Sequence, residues 1–149
     1  MNNETWIYVA GPLFSTAERN FNSELASHLQ NGALGVFLPQ DECNGLSDPA
    51  DIYEKCIDGI RGASVLIAVL DGTDADSGTA WEMGYAVARG IPVIGIRTDF
   101  RRHGDDGGLN LMLSRSCTGI IEISSLTGVT VAEISEHILK AIRDISSIS

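Results

Sequence analysis

Apolar runs of four to eight residues alternate along this chain with longer stretches in which apolar side chains recur every three or four positions. That alternation is the pattern of βαβ units wound around a parallel sheet. WIYVAG (6–11) predicts a first strand. STAERNFNSELASHLQNG (15–32) opens on a candidate N-cap, Ser15 or Thr16, carries Phe21, Leu25 and Leu29 at helical spacing and stops at Gly32. GVFLP (35–39) predicts a second strand, and DPADIYEKCIDGIRGA (48–63) a second helix with Ile52, Cys56 and Ile60 along one stripe and Gly62 at its end. SVLIAVLDG (64–72) is the strongest candidate for a central strand, SGTAWEMGYAVARG (77–90) reads as a third helix, and IPVIGIR (91–97) and TGIIEI (118–123) as two further strands. VAEISEHILKAIRDI (131–145) closes the series as a helix with Ile134, Ile138 and Ile142 on one side. The expectation is an α/β fold, a doubly wound sheet of about five parallel strands, in one domain spanning residues 1–149.

Ligands of open α/β sheets bind beyond the carboxyl ends of the strands. The stretches to inspect are therefore AGPLF, LPQDE, LDGTDADSG and RTDFRRHG. The last belongs to a polar, glycine-containing loop, residues 98–110, long enough to read as a lid or an interface segment.

Composition narrows the chemistry. No run approaches the roughly 20 consecutive apolar residues that span a bilayer, and MNNETWIYVA lacks the features of a secretory signal. A soluble, cytoplasmic protein without a membrane partner is expected. Cys43, Cys56 and Cys117 form no C-x-x-C, so neither a disulfide framework nor a zinc site is suggested and the thiols read as free. A formal net charge of −10 repels a phosphate backbone, which argues against nucleic acid as a partner. AGPLFS lacks the glycine pattern of a dinucleotide site, no phosphate-binding loop motif occurs, and the three histidines show no ligand spacing. No metal or cofactor is expected. Ser77 follows a strand without a G-x-S-x-G elbow and reads as the N-cap of the third helix.

What remains is a set of carboxylates. Asp71, Asp74 and Asp76 occupy the loop after the central strand, and Glu82 lies about a turn and a half into the following helix. Capping of that helix explains loop aspartates as readily as function does. Glu82 differs, because its neighbours one turn away are Gly78, Thr79, Tyr85 and Ala86, which offer no cation. Gly78 and Gly84 beside it permit close approach of a ligand.

IYVAGPLF, LDGTDADSGTAWEMGYA and GIRTDFR with LNLML together resemble the nucleoside 2-deoxyribosyltransferase family, over residues 6–122. The resemblance implies a flavodoxin-like, three-layer αβα domain that assembles as a homodimer or larger homo-oligomer. It implies that Glu82 is the nucleophile, that Asp76 binds the sugar and that Tyr8 orients the nucleophile. It places Gly11 and Phe14 in the base pocket, and Asn110, with Met112 beside it, in the sugar site of a neighbouring subunit. Ser77 and Gly78 fall next to Asp76 as further substrate contacts. Many family members use an aspartate on the second helix to activate the base. Here that position is Cys56, a weak donor or simply a buried thiol; Asp58, two residues on, faces another side of the helix. Gln40 and Asp41 are the other candidates to read the base edge.

The chemistry calls for these residue types. Breaking an N-glycosidic bond builds positive charge at the anomeric carbon, which a carboxylate stabilises and then bonds. A deoxyribosyl-Glu82 intermediate would pass its sugar to another nucleobase, or slowly to water. Related hydrolases of 2′-deoxynucleoside 5′-monophosphates place serines where Asp76 and Asn110 stand here. Asp76 would face the phosphate as a like charge, at a cost on the order of a few kcal/mol, so nucleosides and nucleobases are the expected partners. Arg101, Arg102 and Arg115 read as loop charges with a role at an interface, or as phosphate ligands. A non-catalytic nucleoside-binding module is the remaining alternative.

Overall fold

Successive side chains of a strand point to opposite faces of a sheet, so a strand buried on both sides must be apolar throughout. In the computed structural model, which describes residues 5–31, 35–102, 104–123 and 128–147, this is how the core divides. β1 (Trp6–Ala10) sends Ile7 and Val9 to one face and Tyr8 and Ala10 to the other. β3 (Val65–Val69) and β4 (Val93–Arg97) are buried along their whole lengths, the one charged member, Arg97, donating to Leu70 O and Arg101 O, while β2 (Gly35–Phe37) and β5 (Gly119–Glu122) form the edges. All pairings are parallel and the order is β2-β1-β3-β4-β5. That is the flavodoxin-like order, whose topological switch lies between β1 and β3.

Helices cover both faces. α1 (Thr16–Asn31) and α6 (Val131–Ser146) pack Leu25, Leu29, Ile134, Ile138 and Ile142 against the Ile7/Val9 side. α3 (Pro49–Arg61) and α4 (Ser77–Ala88) cover the Tyr8/Ala10 side with Ile60, Met83 and Ala86. The doubly wound parallel sheet expected from the pattern, and the three-layer αβα architecture that the resemblance implies, are thus present. Ser15 takes the cap of α1: it accepts from Glu18 N at 3.2 Å, and Glu18 Oε2 accepts from Ser15 N at 2.7 Å. The expected stop at Gly32 lies outside the described residues.

Two short helices were not predicted. α2 (Pro39–Glu42) starts on a proline directly after β2, and α5 (Leu111–Ser116) occupies the LNLML segment, capped by Asn110 Oδ1 accepting from Met112 N at 2.9 Å. Neither is long enough to show a period. The loop at 98–110 is tied down over its second half. Asp106 and Leu109 exchange backbone hydrogen bonds across Gly107 and Gly108, whose φ angles of 64° and 87° suit such a tight turn. Leu109 is buried in the core, and Asp106 pairs with Arg115 at 2.8 Å. Among the described residues no helix is long and apolar enough to cross a membrane.

Candidate active site

α4 begins beyond the end of β3, and its first residues decide where Glu82 lands. The N-cap is Asp76, not Ser77 as the sequence suggests: Asp76 Oδ2 accepts from Thr79 N at 3.0 Å and from Thr79 Oγ1 at 3.3 Å, leaving Ser77 as the first helical residue. A carboxylate outcompetes a hydroxyl here because it adds charge to the positive end of the helix. From that start, Thr79, Met83 and Ala86 point into the core, and Glu82 lies on the flank beside them. It meets Tyr8, a wholly buried residue of β1 stacked on Phe37 with ring centroids 5.2 Å apart. Tyr8 Oη donates to Glu82 Oε1 at 2.5 Å.

Among the described residues no cation lies within ion-pair distance of Glu82. Burial therefore dominates its titration. Loss of hydration pushes Glu82 up to about 7; the Tyr8 hydroxyl pulls it down and the charge of Asp76 raises it further. Burial, then the charge of Glu82, holds the Tyr8 phenol far above its ordinary value, so it remains a donor. The pair is a carboxylate poised near neutrality and oriented by a fixed hydroxyl.

Glu82 forms one wall of a cleft of about 370 Å³ between α3 and α4, lined also by Tyr53, Cys56, Ile57, Gly78 and Trp81. The walls are mostly apolar with a single carboxylate in them, the composition of a small-molecule site. Cys56 sits in this wall, and burial pushes its thiol up to about 11. Asp58 is turned away and paired with Arg61 at 3.0 Å. Tyr53 and Trp81, with ring centroids 5.9 Å apart, were not singled out in the sequence. Their signal was position alone, since Trp81 precedes Glu82 and Tyr53 lies one turn before Cys56.

The remaining predicted residues have mixed placements. Gly11 fits a close approach, because a Cβ there would lie 3.1 Å from Val69 Cβ. Phe14 is exposed. Gln40 is braced against α1: its amide nitrogen donates to Arg19 O at 3.0 Å and Ser23 Oγ at 2.9 Å, and its oxygen accepts from Asn22. Asp41 is exposed. Asn110 and Met112 lie at the exposed start of α5, away from the Glu82 cleft lining. Asp71 proves structural, accepting from Thr98 N at 2.6 Å and Asp99 N at 3.0 Å and so joining the loops after β3 and β4. Asp74 accepts from Ala75 N next to it. Arg101, Arg102 and Arg115 each have a carboxylate partner, Asp99, Glu122 and Asp106 respectively. Among the described residues no group of three or more His, Cys, Asp or Glu side chains is arranged to hold a metal ion.

A sequence model of the family described as nucleoside 2-deoxyribosyltransferase matches residues 7–133. Among solved structures, a 2-desoxiribosyltransferase from Leishmania mexicana is 29% identical with a TM-score of 0.60, covering 73% of this chain and 85% of that one. A 2-deoxyribosyltransferase from Bacillus psychrosaccharolyticus has a TM-score of 0.68 at 24% identity, over 79% of this chain and 86% of that one. A CMP N-glycosidase from Clostridium botulinum shares the fold at a TM-score of 0.65 and 18% identity, over 90% and 97% of the two chains.

Proposed function

The chain belongs to the nucleoside 2-deoxyribosyltransferase family, and on that footing we propose that it transfers 2-deoxyribose between nucleobases through a covalent adduct on Glu82. The observation that carries this reading is the Glu82 carboxyl, without a cation beside it among the described residues, held at 2.5 Å by Tyr8 Oη in the wall of an apolar cleft. Glu82 attacks the anomeric carbon as the bond to the base breaks, and the bonding electrons leave with the base. A second base then attacks the sugar ester and regenerates the carboxylate; two displacements retain configuration. The Tyr8 hydrogen bond aims one carboxyl oxygen and leaves the other for the sugar carbon. Asp76, using Oδ2 for the helix cap, keeps Oδ1 for a sugar hydroxyl.

Cys56 stays protonated at neutral pH and offers the leaving base a weak hydrogen bond. Protonation of the leaving base then falls to water, while Gln40 and Asp41 are the candidates to read the base edge. The pairing of all three loop arginines with carboxylates supports a nucleoside over a nucleotide. Exposed Leu111 and Met112, at 46% and 72%, support a homo-oligomer in which Asn110 completes the sugar site of a neighbour. A single catalytic domain in the cytoplasm is consistent with three free thiols.

Incubation with deoxyinosine and adenine, followed by mass spectrometry, tests the reading. New deoxyadenosine and a deoxyribosyl adduct on Glu82 are expected. Free hypoxanthine and deoxyribose alone would indicate hydrolysis, the reaction class of the botulinum neighbour's name. Unchanged substrates would leave a binding module.

A further inference from the structure

Cys43 takes no part in the chemistry above, yet its sulfur lies 3.8 Å from that of Cys56. Thiols thirteen positions apart are brought into van der Waals contact where Cys43, at the end of α2, meets Cys56 in α3. We propose that this pair is an oxidisable dithiol whose disulfide closes down the Glu82 cleft; the effect on catalysis rests on the proposed function, whereas the formation of the bond does not.

Three observations support it. The sulfurs need to approach by roughly 1.8 Å to reach bonding distance, and one of them can move. Cys43 ends α2 and leads into a surface turn at Gly45, φ 86°, with open space where a Cβ would lie. Both thiols are only partly buried, so a small oxidant can reach them. Cys56 is also in the wall of the cleft that holds Glu82, and the Tyr8 hydroxyl contributes to its titration. Bridging removes the Cys56 S–H from the cleft and ties its sulfur to that of Cys43, which changes the wall facing the reacting sugar.

With a peroxide as oxidant the step balances. The Cys43 sulfur attacks the O–O bond, giving a sulfenic acid and releasing water. The Cys56 sulfur displaces hydroxide from that sulfenic acid, taking up a proton as a second water, and the S–S bond forms. Two thiol hydrogens are lost and the peroxide is reduced by two electrons. Cys43, at the end of α2 next to the surface turn, is the thiol that meets the oxidant first. A dithiol carrier reverses the reaction by exchange.

The full-length protein is treated with hydrogen peroxide, digested without reduction and mapped by mass spectrometry. The expected product is a cross-link between the Cys43 and Cys56 peptides, lighter by two hydrogens and abolished by dithiothreitol, with Cys117 remaining a free thiol. Deoxyribosyl transfer should fall by about tenfold or more, as for a misplaced catalytic wall, and return on reduction. The variant Cys43→Ser should keep its reduced-state activity and resist the loss. Absence of that cross-link overturns the dithiol. A cross-link with unchanged turnover, or equal loss of activity in Cys43→Ser, overturns its control of the cleft. Should no transfer be detectable in the reduced protein, the proposed function fails while the cross-link is judged separately.

Discussion

At the scale of single residues, the Tyr8–Glu82 pair makes the pH dependence predictable. In the proposed mechanism Glu82 must be ionised to attack, and its pKa is raised to about 7, so kcat/KM should fall as pH drops below that value. Removing the Tyr8 hydroxyl takes away the interaction that lowers this pKa. Tyr8→Phe should move the acidic limb to higher pH and reduce kcat by roughly 10- to 100-fold, the worth of a hydrogen bond to a charged group. A limb that stays in place would contradict the orienting role. The same shift has a cost in stability. A carboxyl whose folded pKa lies above its unfolded value stabilises the fold at low pH and loses that contribution as pH rises through about 7. Glu82→Gln should therefore raise Tm at pH 8, by up to the order of 3 kcal/mol in stability, and make no difference at pH 4 while abolishing turnover. Thermal melts at the two pH values check this.

At the scale of elements, α4 carries the proposed site because its cap, Asp76, and the proposed nucleophile, Glu82, are both acidic. Asp76 accepts from Thr79 N at 3.0 Å and raises the Glu82 pKa through its charge. Two substitutions separate these roles. Asp76→Ala removes cap and charge and should lower stability by about 1 kcal/mol. Asp76→Ser keeps a capping oxygen, so stability should hold while the acidic limb of kcat/KM moves to lower pH and KM for nucleoside rises. Tighter nucleoside binding in Asp76→Ser would refute the sugar contact. The element also shows why the cap was misread: Asp76 and Ser77 are adjacent and either can accept from a first-turn N–H, and the start of the helix relative to β3 decides which of them stands at the cap.

At the scale of the whole molecule, the question is whether one chain suffices. α5 presents Leu111 and Met112 to solvent beside Asn110, while the Glu82 cleft opens between α3 and α4. If Asn110 serves a neighbouring subunit, Glu82→Ala and Asn110→Ser should each be inactive alone and regain activity when mixed, because a mixed dimer contains one intact site. The serine retains a cap for α5. Failure of the mixture to regain activity, with subunit exchange verified by mass, would count against a shared site.

Sequence by itself determined the alternation of strands and helices, the central place of β3, and the isolation of Glu82 from any cation one turn away, because periodicity and nearest neighbours on a helix are local properties of the chain. It did not determine α2 or α5, which are too short to carry a period. Nor could it separate structural aspartates from functional ones: Asp71 and Asp76 look alike as letters, and only packing ties one to Thr98 and sets the other at the head of α4. The meeting of Tyr8 with Glu82, 74 positions apart, and of Cys43 with Cys56 was decided by the sheet order that lays α3 and α4 over β1. Contacts between distant segments depend on how layers stack, and stacking is settled only when all the buried faces are satisfied at once.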